Sequence, residues 1–207
     1  MSKRPNKKTW HAKHTRDPYV KKAQQKGYRS RAVFKLEEID QRHKLLHPRM
    51  TIVELGAAPG GWCQYVRQTI GKTGRLLAID LLAIEAITNV DMIQGDVTEM
   101  DTFDKITRWT AEQKIDAVLS DMAPDLTGIS ATDQARSAYL IEIALDTALQ
   151  LLKPNGFLLI KGFHGQEFQT ILKQIKHQFK TTSIEKPKAS RDYSSEVYVL
   201  ARSLKRA

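Results

Sequence analysis

The 207-residue chain has a single cysteine, Cys63, which excludes an internal disulfide and a cysteine-built metal centre. No apolar run approaches the ~18 residues that a membrane span needs. The start, MSKRPNKKTW, is basic but leads into no apolar segment, so no secretory signal is expected. Residues 1–16 lack acid, as transit peptides do, but they also lack the apolar stripe that such peptides carry. The six histidines are scattered, four of them within the first 49 residues, and show no ligand spacing, so no metal is expected. There is no repeat of fixed period and no low-complexity tract.

What is present is an ordinary globular composition, 41% apolar and 27% charged, sufficient to bury a core. The length, set against a typical ~150 residues per domain, implies one domain with an appendage. The net charge of +10 is unevenly spread. Residues 1–49 hold 15 Lys and Arg against 4 Asp and Glu, and the remainder holds 18 against 19. Within that remainder, residues 180–207 are again basic, 7 against 3, so a slightly acidic centre lies between two basic ends. Such a segment can serve as a solvated tail. Concentrating like charge costs self-repulsion that a phosphate backbone relieves, and this points to a polyanionic partner. Anionic lipid fits less well, because the segment has few large apolar side chains to insert.

Residues 1–16 read as a disordered basic arm with Trp10 as its one large apolar group. Asp17-Pro18 reads as an N-cap with proline at the first helical position, and Gly27 as the stop. Ser30 reads as the cap of a second helix with Val33, Leu36 and Ile39 on one side and Lys35 off that stripe. From residue 50 short apolar runs at Thr51–Leu55, Arg75–Asp80, Val90–Gln94, Ile115–Ser120 and Phe157–Lys161 alternate with helical stretches near 61–70, 101–113, 133–152 and 165–178. The last of these carries Phe168, Ile171, Leu172, Ile175 and Phe179 at helical spacing. Alternation of this kind predicts an α/β fold, a mostly parallel sheet with helices on both faces. Two final runs, 181–186 and 196–201, have no helix between them and predict an antiparallel hairpin, with Pro187 and Ser190–Ser194 supplying the turn.

Glu54-Leu55-Gly56-Ala57-Ala58-Pro59-Gly60-Gly61 follows the first of these strands and opens a helix. Its spacing is G-x-x-x-G, neither the G-x-G-x-x-G of dinucleotide sites nor a P-loop with its Lys-Ser/Thr pair. A nucleoside of modest charge suits it better than a pyrophosphate. Asp80 ends the next strand, 20 residues beyond Gly60, where an acid can accept from both hydroxyls of a ribose. Asp96 follows the third strand, where an acid can meet an adenine amino group. Each alone reads as a cap or turn former; in this order they point to an S-adenosylmethionine pocket. Farther on, Asp121 follows Ile115–Ser120 and Lys161 closes Phe157–Ile160, both at the carboxyl ends of strands where such sheets bind ligands. A lysine closing an apolar strand is costly unless its ammonium is paired, and a Lys161–Asp121 salt bridge is the plain alternative to a catalytic role. Glu196, opening the last strand, and Lys35 would each pass as surface charges.

Taken together, KKAQQKGYRSRAVFKLEEID, ELGAAPGGWCQYV, SDMAPD, LLIKGFHG and SSEVYVLA resemble the FtsJ family of S-adenosylmethionine-dependent RNA ribose 2′-O-methyltransferases, in particular its bacterial members that act on 23S ribosomal RNA. The resemblance spans roughly residues 19–201. It implies a Rossmann-like methyltransferase fold with seven strands, a core over 50–207 and RNA-contacting helices over 17–49. It also implies a catalytic tetrad on Lys35, Asp121, Lys161 and Glu196, with Lys161 as proton acceptor, and cofactor contacts at Gly56, Gly60, Trp62, Asp80, Asp96 and Asp121. The chain departs from the family pattern at Glu54, where Asp is usual, at Asp125, where Asn is usual, and at Gly162 and His164. None of these touches the tetrad.

The implied substrate is a uridine ribose in the A loop of the large (50S) ribosomal subunit, and the implied enzyme is a cytoplasmic monomer with no membrane partner. A ribose hydroxyl is a poor nucleophile, so the enzyme must align it with the methyl group and remove its proton. Lysine in water is protonated at pH 7, with a pKa of ~10.4. The tetrad sums to zero charge when fully ionised, so a cationic donor favours expelling one proton from it. Transfer RNA or an mRNA cap as substrate, a non-catalytic RNA-binding assembly factor and a nicotinamide dehydrogenase are the competing readings. The short chain, the filled tetrad and the loop spacing weigh against them in turn.

Overall fold

A computed structural model of the chain describes residues 17–125, 127, 130–191 and 194–205. The basic arm expected at residues 1–16 lies outside them. Two short helices, α1 (Pro18–Gln25) and α2 (Val33–His43), precede the alternating part. There follow β1 (Thr51–Leu55), α3 (Gly61–Ile70), β2 (Arg75–Asp80), β3 (Asp91–Gln94), α4 (Met100–Thr110), β4 (Ile115–Ser120), α5 (Ser130–Leu151), β5 (Leu152–Phe163), α6 (Gln166–Gln178), β6 (Phe179–Glu185) and β7 (Glu196–Leu204). The seven strands form one sheet in the order β3-β2-β1-β4-β5-β7-β6. β1 to β5 pair in parallel, and β7 runs antiparallel to both β5 and β6. The expected α/β architecture and its closing hairpin are therefore observed.

Strand alternation sorts the core onto two faces. Val53, Leu55, Val118, Leu158, Ile160 and Val199 pack with residues of α4, α5 and α6. Ile52, Leu119, Leu159, Tyr198 and Leu200 pack with Leu36 and Ile39 of α2 and Trp62, Val66 and Ile70 of α3. The same period of two places Glu54, Lys161 and Glu196 on the α2/α3 face, toward the helix that carries Lys35. The fold thus brings residues far apart in sequence to one side of one sheet.

Element boundaries differ from the sequence expectation in several places, each with a local cause. Asp17 does cap α1, accepting from the Tyr19 amide at 2.9 Å. Ser30 does not cap α2. Its hydroxyl accepts from the Ala32 amide at 3.1 Å and its carbonyl from Val33 at 3.3 Å, forming a turn that precedes the helix. Phe179 ends the apolar stripe of α6 but already has extended backbone and begins β6. The helix near 101–113 stops at Thr110, because Ala111 and Glu112 turn left-handed. β5 is longer than its apolar run because the polar residues Lys153–Asn155 join it past a register shift opposite β4.

A buried acid that sequence reading passed over anchors α2. Asp40 Oδ1 accepts from the amides of Leu45 and Leu46 at 2.9 and 2.8 Å, and Oδ2 accepts from the Tyr65 hydroxyl at 2.7 Å. On the far side, Arg42 donates to the buried Glu185 of β6 at 2.7 Å. Replacing Asp40 by Ala leaves three donors without their acceptor, two of them buried amides. Asp40→Ala is expected to cost roughly 2–4 kcal/mol of stability, read as a lower urea midpoint with unchanged m-value. A loss below ~0.5 kcal/mol would contradict the anchoring role.

Candidate active site

Strand order reverses between β1 and β4, the switch point at which open α/β sheets form a crevice. The backbone there is drawn tight. Gly56 adopts φ 71° and lies so close to Met122 that an added Cβ would meet its side chain at 2.6 Å. Gly60, with φ 101°, turns the chain into α3. Arg29, from the basic N-terminal segment, braces this loop by donating to the carbonyls of Pro59, Glu85 and Ala86 at 3.3, 2.7 and 3.1 Å.

The crevice holds a cavity lined by Gly56, Asp80, Asp96, Val97, Asp121 and Leu140, among others. A smaller concavity shares Gly56, Ala58 and Asp121 with it and extends to Ser30, Glu54 and Trp62. Asp80 accepts one backbone donor on each oxygen, from Ala58 and Leu82, both at 2.8 Å. These bonds fix its carboxylate at the cavity wall. Asp96 accepts from the amide and hydroxyl of Thr98 at 2.9 and 2.8 Å, so it forms a turn and lines the cavity at once. Trp62 is buried, its indole N–H donating to the Ala32 carbonyl at 2.8 Å and its ring 5.7 Å from that of Tyr198.

Two lysine–carboxylate pairs stand at the edge of this crevice. Lys161 Nζ lies 3.1 Å from Asp121 Oδ1 and also donates to the Asp121 carbonyl. Lys35 Nζ lies 2.7 Å from Glu196, whose Oε1 also accepts from Ser190 Oγ at 2.8 Å. The Lys161 side chain is 8% exposed. Tyr198, unmarked by sequence reading, links the pairs. Its hydroxyl donates to Asp121 Oδ1 at 2.7 Å, and Lys35 Nζ sits 5.7 Å from its ring centroid. Burial, then the Asp121 and Glu196 carboxylates, raise its pKa well above the ordinary phenol value and keep it a neutral donor. The available signal was position: Tyr198 lies two residues from Glu196 on the same strand face and directly opposite Lys161 in the register. All four expected tetrad residues are thus brought together, as two ion pairs bridged by a tyrosine.

The departures from the family pattern have local settings. Gly162 lets the Phe168 ring approach, since a Cβ there would meet it at 2.7 Å, and the His164 ring stands edge-on to Phe168 at 5.5 Å. Asp125 uses its carbonyl to accept from Arg136 at 3.3 Å. Glu54 is the most consequential. It is fully buried on β1 beside the Cys63 thiol, which hydrogen-bonds to it, and its Oε2 has no hydrogen-bond partner. Burial foremost, with further contributions from Asp121 and Asp80, pushes its carboxyl up to about 8. Burial and Glu54 in turn push the Cys63 thiol up.

No group of three or more His, Cys, Asp or Glu able to hold a metal ion occurs among the described residues, and no helix among them is long and apolar enough to cross a membrane.

The buried carboxyl has a stability signature of definite sign. In the unfolded chain a glutamate ionises near ~4.3, whereas Glu54 keeps its proton up to about 8. Between these values the unfolded state binds fewer protons, so stability falls as pH rises. Glu54→Gln, which cannot ionise, is therefore expected to gain stability over the parent protein between pH 5 and pH 8. The gain should be on the order of 4 kcal/mol, read from urea unfolding of both proteins at both pH values. A difference that does not change with pH would contradict a protonated Glu54.

Residues 28–204 match the FtsJ-like methyltransferase family. Two ribosomal RNA large subunit methyltransferases E are similar along the whole chain. That of Legionella pneumophila (strain Corby) is 46% identical, covering 98% of each chain. That of Paraburkholderia phymatum is 45% identical, covering 100% of this chain and 99% of its own. Among solved structures, a ribosomal RNA methyltransferase from Plasmodium falciparum superposes with a TM-score of 0.75 at 26% identity, covering 86% of this chain and 98% of its own. An rRNA methylase from Clostridium thermocellum shares the fold, with a TM-score of 0.57 at 14% identity over 81% of this chain and 96% of its own. A match over most of the chain, supported by relatives this similar end to end, makes the protein a member of the FtsJ-like methyltransferase family.

Proposed function

We propose that the protein transfers a methyl group from S-adenosylmethionine to the ribose 2′-hydroxyl of a uridine in the 23S RNA of the large ribosomal subunit, acting as a monomer in the cytoplasm. The observation that carries this reading is the adjacency of an acid-lined crevice at the sheet switch point to two lysine–carboxylate pairs, each with one buried member. The names of the similar relatives support ribosomal RNA as the substrate.

The residues present fit this donor. Asp80, Asp96 and Asp121 line the larger cavity, Glu54 and Asp121 the smaller, and neither lining includes a lysine or arginine. Such a surface suits a cationic ligand and repels a pyrophosphate. Asp80 would accept from the ribose hydroxyls of the donor, Asp96 from its adenine, and Gly56, Gly60 and Trp62 would shape the walls. The donor supplies a methyl group already activated on a sulfonium. What is left to the protein is to hold the substrate oxygen in line and take its proton.

Lys161 is the proton acceptor in this reading, a role typically worth ~10²–10⁴ in rate. Asp121 holds its Nζ through two contacts, and Tyr198 holds Asp121 from the other side. Lys35, aimed by Glu196 and through it by Ser190, would position the ribose. The RNA would lie across the basic helices of residues 17–49, with residues 1–16 as a phosphate-gripping arm and residues 50–207 as the methyltransferase core. Phosphates would meet Lys22 and Lys26, both already over the Phe34 ring, at 4.5 and 5.6 Å.

Two outcomes test the reading. Labelled-methyl transfer to large ribosomal subunits, free ribosomal RNA and transfer RNA, followed by nucleoside analysis, is expected to place the label in 2′-O-methyluridine of large-subunit RNA. Label on a base, or in transfer RNA alone, would refute it. Asp80→Ala is expected to weaken S-adenosylmethionine binding, because two hydroxyls lose a charged acceptor worth ~1.5–3 kcal/mol per bond. Unchanged affinity by calorimetry in the folded variant would remove Asp80 from the site.

A further inference from the structure

Glu54 is a buried acid of the crevice, and unlike Asp80 and Asp96, whose carboxylates accept backbone amides, it leaves one oxygen without a hydrogen-bond partner. It sits on β1 among apolar neighbours of the α2/α3 face, 1% exposed, and it lines the smaller concavity. Its Oε2 is buried without a partner. The groups that face it are poor counterions. From α3 comes the Cys63 thiol, a weak donor; from the end of β2, Asp80; from the end of β4, Asp121. The cations around the crevice are committed elsewhere, Lys161 to Asp121 and Arg29 to the carbonyls of Pro59, Glu85 and Ala86. A carboxylate in that position is uncompensated, and a neutral carboxylic acid is the form that burial favours.

The concavity is too small to be a site by itself, but it adjoins the larger cavity, with which it shares the lining residues Gly56, Ala58 and Asp121. With the adenosine end against Asp80 and Asp96, the amino-acid end of the donor would reach past Asp121 toward Glu54. That end carries an ammonium, a cation with donors to spare.

We propose that the methyl donor binds with the loss of one proton from Glu54, the resulting carboxylate becoming the seat of the donor's ammonium group. The step balances simply. Glu54 releases H⁺ to solvent, its Oε2 accepts a hydrogen bond from the ammonium, and no covalent bond to carbon or sulfur changes. The protein is then neutral at this point when empty and anionic when loaded, so a buried charge is never left alone. The inference rests on S-adenosylmethionine being the ligand and adds a linkage between its affinity and pH.

Calorimetry on the full chain tests it. S-adenosylmethionine and S-adenosylhomocysteine are titrated at pH 6.0 and 7.0, where the ligand ammonium stays protonated, in buffers of different ionisation enthalpy. The expected result is release of close to one proton per ligand and an affinity roughly tenfold higher at pH 7.0 than at 6.0, with both ligands. Proton release with S-adenosylmethionine alone would overturn the proposal, because only that ligand carries the sulfonium and the proton would then come from the lysine pairs. Binding without proton release would also overturn it while leaving the methyl-donor site intact. Absence of binding by either ligand at both pH values would remove the donor assignment and the linkage together. Glu54→Gln is expected to bind both ligands more weakly, with affinity independent of pH over this range. Should that variant fail to fold, the proton count on the parent protein still decides.

Discussion

The antiparallel ladder between β5 and β7 is the contact on which the site depends. It sets Lys161 opposite Tyr198 and Phe163 opposite Glu196, so three polar side chains from two strands emerge on one sheet face within a few residues of one another. A slip of β7 by one residue would send Tyr198 and Glu196 to the opposite face, among α5 and α6, and part them from Lys161. The parallel half of the sheet supplies the remainder. The Asp121 amide bonds to the Leu55 carbonyl at 3.2 Å, which holds the end of β4 to the end of β1 and brings the lysine pairs to the crevice.

Charge is arranged there in a way that stability alone does not explain. Burying ions costs several kcal/mol each, and apolar residues of similar volume often serve a fold as well or better. Two lysine–carboxylate pairs and an unpaired acid, Glu54, lie within one small region nonetheless. The pairs limit their own cost through extra hydrogen bonds from Tyr198 and Ser190, and Glu54 limits its cost by staying protonated. What results is a crevice acidic on its walls and lysine-bearing at its edge. A cationic donor on one side and a hydroxyl to be deprotonated on the other is the chemistry that matches this arrangement.

Most of the architecture was legible from hydrophobic period. The strand runs at Thr51–Leu55, Arg75–Asp80 and Ile115–Ser120 coincide with β1, β2 and β4, because fully buried parallel strands are continuous apolar runs. Boundaries were less legible where a turn or a bulge decided them, as at Ser30 and in β5, since neither leaves an apolar mark. Asp121 and Lys161 were legible as residues at the carboxyl ends of strands, close enough for a salt bridge to be expected, whereas Lys35 and Glu196 could be joined to them only through resemblance to a family. The Lys35–Glu196 contact could not be read from spacing, because it brings an N-terminal helix against the last strand. Tyr198, Asp40 and Ser190 escaped notice for a common reason: a polar side chain that serves another polar side chain looks, in sequence, like any core tyrosine, helix acid or loop serine. Glu54 stood out only as a departure, and its unpaired burial is a fact of three dimensions.

The central claim is that the Lys161–Asp121 contact serves proton transfer and not the fold. Single-turnover methyl transfer, measured beside melting temperature for Lys161→Ala and Lys161→Arg, tests it most directly. Arginine keeps a cation beside Asp121 but does not give up its proton at any workable pH. The account predicts that both variants bind donor and RNA, melt close to the parent protein and lose at least ~10²-fold in rate. An active Lys161→Arg protein, with Lys161→Ala impaired mainly in stability, would contradict it.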